Sequence, residues 1–137
     1  MKAAGLLLLG AVVTMAFWVS QAQALPAFKK AFEQKYIAPS NNPALKAAFK
    51  KQSCNVCHVK GQEKTVRNDY GKALEKFTGG HVAKDIKAAK ASGGDAAAKD
   101  VLDKAVKAIE EGFDKVGEEK SPSGDTYDEM IKAGKLP

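Results

Sequence analysis

The sequence of 137 residues predicts an all-α fold built from short helices and loops. From Leu25 onward, apolar residues recur at intervals of three or four positions, which is typical of helices that bury one face. No segment alternates apolar and polar residues in the manner of a half-buried strand. Prolines, glycines and side-chain caps divide the chain into pieces of helix length. The length suits one domain, and the small number of large apolar side chains predicts a thin core.

Two helices are predicted before residue 54. Phe28 and Phe32 lie four positions apart, so they share one face of a helix that begins at Pro26. A Pro-Ser-Asn-Asn stretch ends this helix. Asn42 then provides an N-cap, and Pro43 a first helical residue, for the second helix.

A third helix carries Tyr70, Leu74 and Phe77 on one face and is predicted to end at Gly79-Gly80. The last predicted helix begins at Thr126, where Thr-Tyr-Asp-Glu fits a capping box.

Two separate helices are predicted between these. Residues 82–91 form a stretch rich in alanine and lysine, which Ser-Gly-Gly at residues 92–94 interrupts. Asp95 is then expected to cap a longer helix. The apolar residues of that helix recur every three or four positions: Leu102, Ala105, Ile109, Phe113 and Val116.

Residues 1–24 have the layout of a secretory signal peptide. Lys2 gives a positive start, residues 6–19 are apolar without a charge, and Ala22 and Ala24 occupy the positions that a signal peptidase reads. A membrane anchor is the alternative, but the apolar run is shorter than the roughly 20 residues that span a bilayer. We therefore expect cleavage after Ala24 and a mature domain of residues 25–137, exported to the periplasm or an equivalent compartment without stable membrane insertion.

The chain is basic, with a formal net charge of +6, of which Lys2 would be lost with the signal peptide. The remaining lysines are spread among alanines and acids rather than gathered in one stripe. Neither interleaved aromatic residues nor a groove-reading motif accompanies them, so no nucleic-acid binding is predicted. We expect solvated helix surfaces, with a secondary role in steering the protein toward an acidic partner.

The most specific motif is Cys54-Asn55-Val56-Cys57-His58. Cys-x-x-Cys-His is the attachment pattern of c-type haem. Each thiol can add across one vinyl group, and two intervening residues place both sulfurs at one edge of the macrocycle. The adjacent histidine then binds the iron through an imidazole nitrogen. The motif predicts one haem c, held by Cys54 and Cys57 and by His58 as the proximal axial ligand.

Three other roles are open to these cysteines, and each fits less well. A disulfide between residues three apart would close almost no loop and stabilise little. A thioredoxin-like redox pair needs a strand before it, and no strand pattern is present. A structural zinc site needs four ligands, and the chain offers only Cys54, Cys57, His58 and His81, of which two are adjacent.

With this motif after a helix, the sequence resembles the monohaem c-type cytochromes. Residues 59–61 (VKG), 67–71 (RNDYG) and 131–137 (IKAGKLP) are similar to small secreted cytochromes of anaerobic ammonium-oxidising bacteria and their relatives. The resemblance implies a small helical cytochrome c-like domain wrapped around one haem, electron transfer and an exported location. It does not identify a partner.

The sequence offers two candidates for the distal axial ligand of the iron and does not decide between them. Met130 is the only methionine after residue 24, and it follows the motif as in ordinary monohaem cytochromes, so it is the first choice. It lies in a predicted helix, however, where a methionine commonly fills space in the core. His81, which follows Gly79-Gly80, is the alternative, although a lone histidine there is commonly an ordinary surface residue. With neither ligand, one side of the iron would be open.

The sequence predicts a periplasmic electron carrier rather than an enzyme, because no pair of acid–base residues converges on one site. Neighbouring carboxylates such as Glu110 and Glu111 diverge around a helix. The alternatives are a protein that binds nitric oxide or carbon monoxide at an open iron, and a subunit of a small cytochrome complex. Alanine-rich helix faces would suit a homodimer or heterodimer with another small cytochrome.

Overall fold

The computed structural model describes residues 25–137, and within this range it contains helices and no β-strand, so the all-α prediction is confirmed there. The predicted signal peptide and its cleavage site after Ala24 lie outside the described residues. No helix in the described part of the chain is long and apolar enough to cross a membrane. The α-helices are α1 (Pro26–Phe32), α2 (Pro43–Gln52), α3 (Asp69–Thr78), α4 (Val82–Gly117) and α5 (Tyr127–Lys132).

Two shorter segments extend these helices. The π-helical segment Glu33–Ile37 continues α1, and the 3₁₀ turn Ser53–Val56 continues α2. The second of these matters for function, because it carries the first cysteine of the motif.

Local capping explains the helix starts that were predicted. The Asn42 Oδ1 accepts hydrogen bonds from the backbone N–H groups of Ala44 at 3.0 Å and Leu45 at 3.4 Å. At α5, the Thr126 Oγ1 accepts from the Glu129 N–H at 3.2 Å, while the Glu129 carboxylate accepts from the Thr126 N–H at 2.8 Å. These side chains satisfy N–H groups that the first turn of a helix leaves unpaired, and both caps are confirmed.

The prediction of two helices between residues 82 and 117, interrupted at residues 92–94, is confirmed, because α4 consists of two helical segments that meet in a kink at Gly94. Only Gly94 departs from helical geometry, with φ 74° and ψ −162°, a conformation that glycine alone adopts readily. The chain changes direction at this residue, and the second segment begins at Asp95. The Asp95 carboxylate forms an ion pair with Lys90, at the end of the first segment, at 2.8 Å.

Aromatic rings from all five helices form the centre of the core. Phe32 of α1 lies 5.7 Å from Phe49 of α2, 5.7 Å from Phe113 of α4 and 6.2 Å from Tyr70 of α3, measured between ring centroids. Tyr127 of α5 reaches Tyr70 at 4.9 Å. Edge-to-face and stacked pairs of this kind stabilise a core beyond the area they bury. They hold α2 and α3, which flank the cysteine motif, against the long helix.

We expect Phe113→Ala to lower the free energy of unfolding by about 3–5 kcal/mol, the usual cost of truncating a buried phenylalanine. The Phe113 side chain is 1% exposed, and Tyr36 donates a hydrogen bond from its hydroxyl to the Phe113 carbonyl. Urea unfolding followed by circular dichroism would measure the change. Glu110→Ala, on the exposed side of the same helix, is the control and should stay within about 0.5 kcal/mol of the wild type. Equal midpoints for the two variants would contradict this description of the core.

Candidate functional site

The cysteine motif lies on the tight turn that leaves α2. Ser53 has a positive φ of 50°, which redirects the chain from α2 into the 3₁₀ turn. The carbonyl of Cys54 then accepts hydrogen bonds from the N–H groups of Cys57 at 3.3 Å and His58 at 3.2 Å. This turn places all three predicted haem-binding side chains, Cys54, Cys57 and His58, in the wall of one cavity.

The two cysteines are not joined by a disulfide. The side chain of Cys57 is partly open to the cavity, while the protein surrounds it on its other sides. This burial, with a smaller effect of the neighbouring Cys54, raises the pKa of the Cys57 thiol to about 12. A thiol with so high a pKa is protonated at neutral pH, unlike the low-pKa thiolate of a redox-active cysteine pair.

The His58 imidazole is partly buried, and one of its ring nitrogens has no partner in the described chain. Its Nδ1 is buried and has no hydrogen-bond partner among the described residues. Burial first, and then the positive charges of Arg67 and Lys64, lower the pKa of His58, an effect that the Val66 backbone partly opposes. A lowered pKa keeps the ring neutral at pH 7, and a neutral imidazole is the form that binds a metal.

Asn68, which precedes α3, clamps the motif in place. Its amide group donates hydrogen bonds to the carbonyls of Val56 at 2.9 Å and Asn55 at 3.4 Å, and its backbone N–H donates to the Cys57 carbonyl at 3.1 Å. The same side chain caps α3 by accepting from the Gly71 N–H at 2.8 Å. One residue therefore fixes the motif to the start of a helix.

Gly71 allows α3 to approach the motif this closely. A β-carbon added at Gly71 would lie 2.0 Å from the Cys57 carbonyl oxygen, which no side chain can do without displacing the backbone. Asn68 and Gly71 both belong to the stretch 67–71 (RNDYG) that resembles small secreted cytochromes, which by itself assigns neither residue a role. Two local signals predict roles for these residues. An asparagine before an acidic helix start predicts an N-cap, and a glycine inside a helix indicates that another part of the chain packs closely against it.

The cavity beside the motif has a volume of about 1070 Å³. This slightly exceeds the range of about 300–1,000 Å³ that is usual for small-molecule sites. Its wall draws apolar side chains from α1 to α4, among them Phe28, Phe49, Leu74, Ile86 and Ile109. Such a wall suits a large apolar cofactor more than a small polar substrate.

The two candidate distal ligands occupy different places. His81, directly before α4, lines the cavity, and its side chain is exposed. Met130 in α5 is not among the lining residues; its Sδ accepts a hydrogen bond from the Ser123 hydroxyl at 3.6 Å, and its side chain packs against the core. The structure therefore brings His81, and not Met130, to the cavity that holds the motif.

The charged side chains of the cavity wall are mostly positive. Among residues 25–137, Glu75 is the one carboxylate that lines the cavity, and it is paired with Arg67 at 3.0 Å. The lining cations are Lys29, Lys64, Arg67, Lys84, Lys87 and Lys90. A cavity with this wall favours anionic groups at its opening.

Within residues 25–137, no group of three or more histidine, cysteine, aspartate or glutamate side chains is arranged to hold a metal ion. Comparisons with protein-family models, with curated proteins and with solved structures found no match to this chain.

Proposed function

We propose that this protein is an exported electron carrier that binds one haem c covalently through Cys54 and Cys57, with His58 as the proximal iron ligand. The observation that carries the proposal is the position of these three side chains in the wall of one large, mostly apolar cavity. Cys-x-x-Cys-His supplies the attachment chemistry, and the cavity supplies room for the macrocycle.

The residues present fit this cofactor in three respects. Two thiols lie on one tight turn, where both can react with the edge of one ring. The His58 ring is held neutral, and its buried Nδ1 lacks a partner in the described chain. Apolar side chains cover the cavity wall, and they would exclude water from the macrocycle and so influence its potential.

Haem supplies one-electron chemistry when bound. The contribution of the chain's own residues is to hold the proximal ligand in a fixed position. The clamp by Asn68 and the close contact at Gly71 fix the backbone around His58. A fixed proximal ligand changes position little when the iron changes oxidation state. Such a site transfers an electron without needing a substrate pocket or an acid–base pair.

The positive cavity wall supports an acidic redox partner. Lys84, Lys87 and Lys90 lie along one exposed stretch of α4, beside the cavity. Complementary charge would speed encounter with an acidic protein and would lose this effect as salt concentration rises. Association with another small cytochrome stays a prediction.

A second candidate function is binding of nitric oxide or carbon monoxide. The absence of Met130 from the cavity wall favours it, because an iron without a methionine ligand has either His81 or an open side. Met130 as distal ligand stays a prediction from the sequence.

The proposal is tested by absorption spectroscopy of the protein produced in a host that attaches c-type haem. We expect haem absorbance that stays with the denatured chain, a reversible spectral change on reduction with dithionite, and six-coordinate low-spin iron. Reversible reduction with slow or no carbon monoxide uptake supports the carrier; immediate uptake by five-coordinate iron supports the gas-binding function. A purified chain without bound haem would overturn both.

A further inference from the structure

The first part of α4 has a glycine at each end that permits a change of direction. Gly79 and Gly80, which precede it, have φ values of 74° and 76°, and Gly94, which follows it, has φ 74° with ψ −162°. We call residues 81–93 the arm. Because all three glycines occupy backbone conformations that other residues avoid, the direction of the arm depends on them.

The arm is much less packed than residues 105–117 of α4. Val82 is its only buried residue, whereas residues 105–117 bury a residue at each turn of one helix face. Those residues are Ala105, Ile109, Gly112, Phe113, Val116 and Gly117. A segment with few buried contacts opens at a lower free-energy cost than the core to which it is attached.

One face of the arm forms part of the cavity wall. Val82 and Ile86 lie four positions apart, on one face of the helix, and both line the cavity. His81, at the end next to Gly80, lines it as well, although its side chain is exposed. A small rotation of the arm about its glycines would therefore change both the covering of the cavity and the position of this imidazole.

We propose that the arm is a hinged lid that carries His81 to the distal side of the haem iron and away from it. The inference rests on the haem attachment proposed above. With the arm closed, Val82 and Ile86 cover the macrocycle, and His81 is the distal ligand. With the arm open, His81 is withdrawn and the distal side accepts an external ligand.

The ion pair that crosses the bend at Gly94 contributes little to its stability. Lys90 and Asp95, on either side of Gly94, form an ion pair at 2.8 Å, but both side chains are well exposed to solvent. Exposed pairs of this kind add little to stability, so the pair does not lock the arm in one direction.

Carbon monoxide uptake by the reduced, haem-loaded protein tests the lid directly. In the wild type, the observed rate should reach a plateau as the carbon monoxide concentration rises, because opening of the arm becomes limiting. His81→Ala should give five-coordinate iron and a rate that rises linearly with concentration. If the arm is open in about a tenth of wild-type molecules, His81→Ala should raise the apparent affinity about tenfold. Met130→Ala should resemble the wild type.

Gly94→Ala tests the hinge apart from the ligand. Alanine disfavours a φ of 74°, so the helix should straighten and direct the arm away from the cavity, which should make carbon monoxide uptake faster. Gly124→Ala is the matched control, because Gly124 also has a positive φ, of 95°, and has open space around it, but does not line the cavity. This control should leave uptake unchanged.

Hydrogen exchange gives a measurement that does not depend on any variant. Amides of residues 82–92 should exchange faster in the carbon monoxide complex than in the ligand-free reduced protein, while amides of residues 105–116 should not change. Equal exchange in the arm, linear uptake by the wild type, or loss of the distal ligand in Met130→Ala but not in His81→Ala would overturn the lid. A chain that carries no haem would instead overturn the proposed function.

Discussion

Replacing both Cys54 and Cys57 by serine is expected to abolish covalent attachment of haem. Serine hydroxyls do not form thioether bonds, and the sequence contains no other cysteine. The wild-type band on a denaturing gel should stain for haem and resist acid–acetone extraction, whereas the double variant should show neither property. Each single variant retains one thiol and should attach less haem, through one bond.

Asn55→Ala is the matched control for this experiment, because it lies between the cysteines and leaves both thiols intact. The clamp contacts the Asn55 backbone carbonyl rather than its side chain, so attachment should continue. Complete extraction of haem from the wild-type chain, or equal staining of the double variant, would refute attachment at these residues.

Gly71→Ala is expected to destabilise the protein and reduce haem attachment, although alanine is the better helix former. Alanine in place of a helical glycine would by itself add roughly 0.5–1 kcal/mol of stability. Here the new β-carbon would lie 2.0 Å from the Cys57 carbonyl oxygen, so α3 and the motif must separate. Overpacking of this kind costs about 1–3 kcal/mol and sometimes more, which exceeds the gain in propensity.

The change is measured as the urea midpoint and as haem bound per chain. Lys72→Ala, at the next position of α3 on an exposed surface, is the control and should alter stability by no more than about 0.5 kcal/mol. If Gly71→Ala were as stable as the wild type and attached a full complement of haem, the close contact between α3 and the motif would not be needed.

Much of the helical structure was predictable because its signals are local. Asn42 and Thr126 bind N–H groups within three residues of themselves, and Gly79 ends α3 by adopting a left-handed conformation at its own position. Such interactions depend on neighbouring residues and not on the rest of the fold. The interruption predicted at residues 92–94 is confirmed for a related reason, because Gly94 adopts at its own position a non-helical conformation that separates two helical segments.

The sequence by itself determined the all-α class and most helix boundaries. It also predicts the chemistry of the candidate site, because spacing within Cys54-Asn55-Val56-Cys57-His58 is a property of adjacent residues. Tertiary structure alone decided what surrounds that site. Asn68 and Gly71 meet the motif across a loop, and the choice between His81 and Met130 as a cavity residue depends on how α4 and α5 pack. These relationships join residues distant in the chain, and only the packed aromatic core brings them into contact.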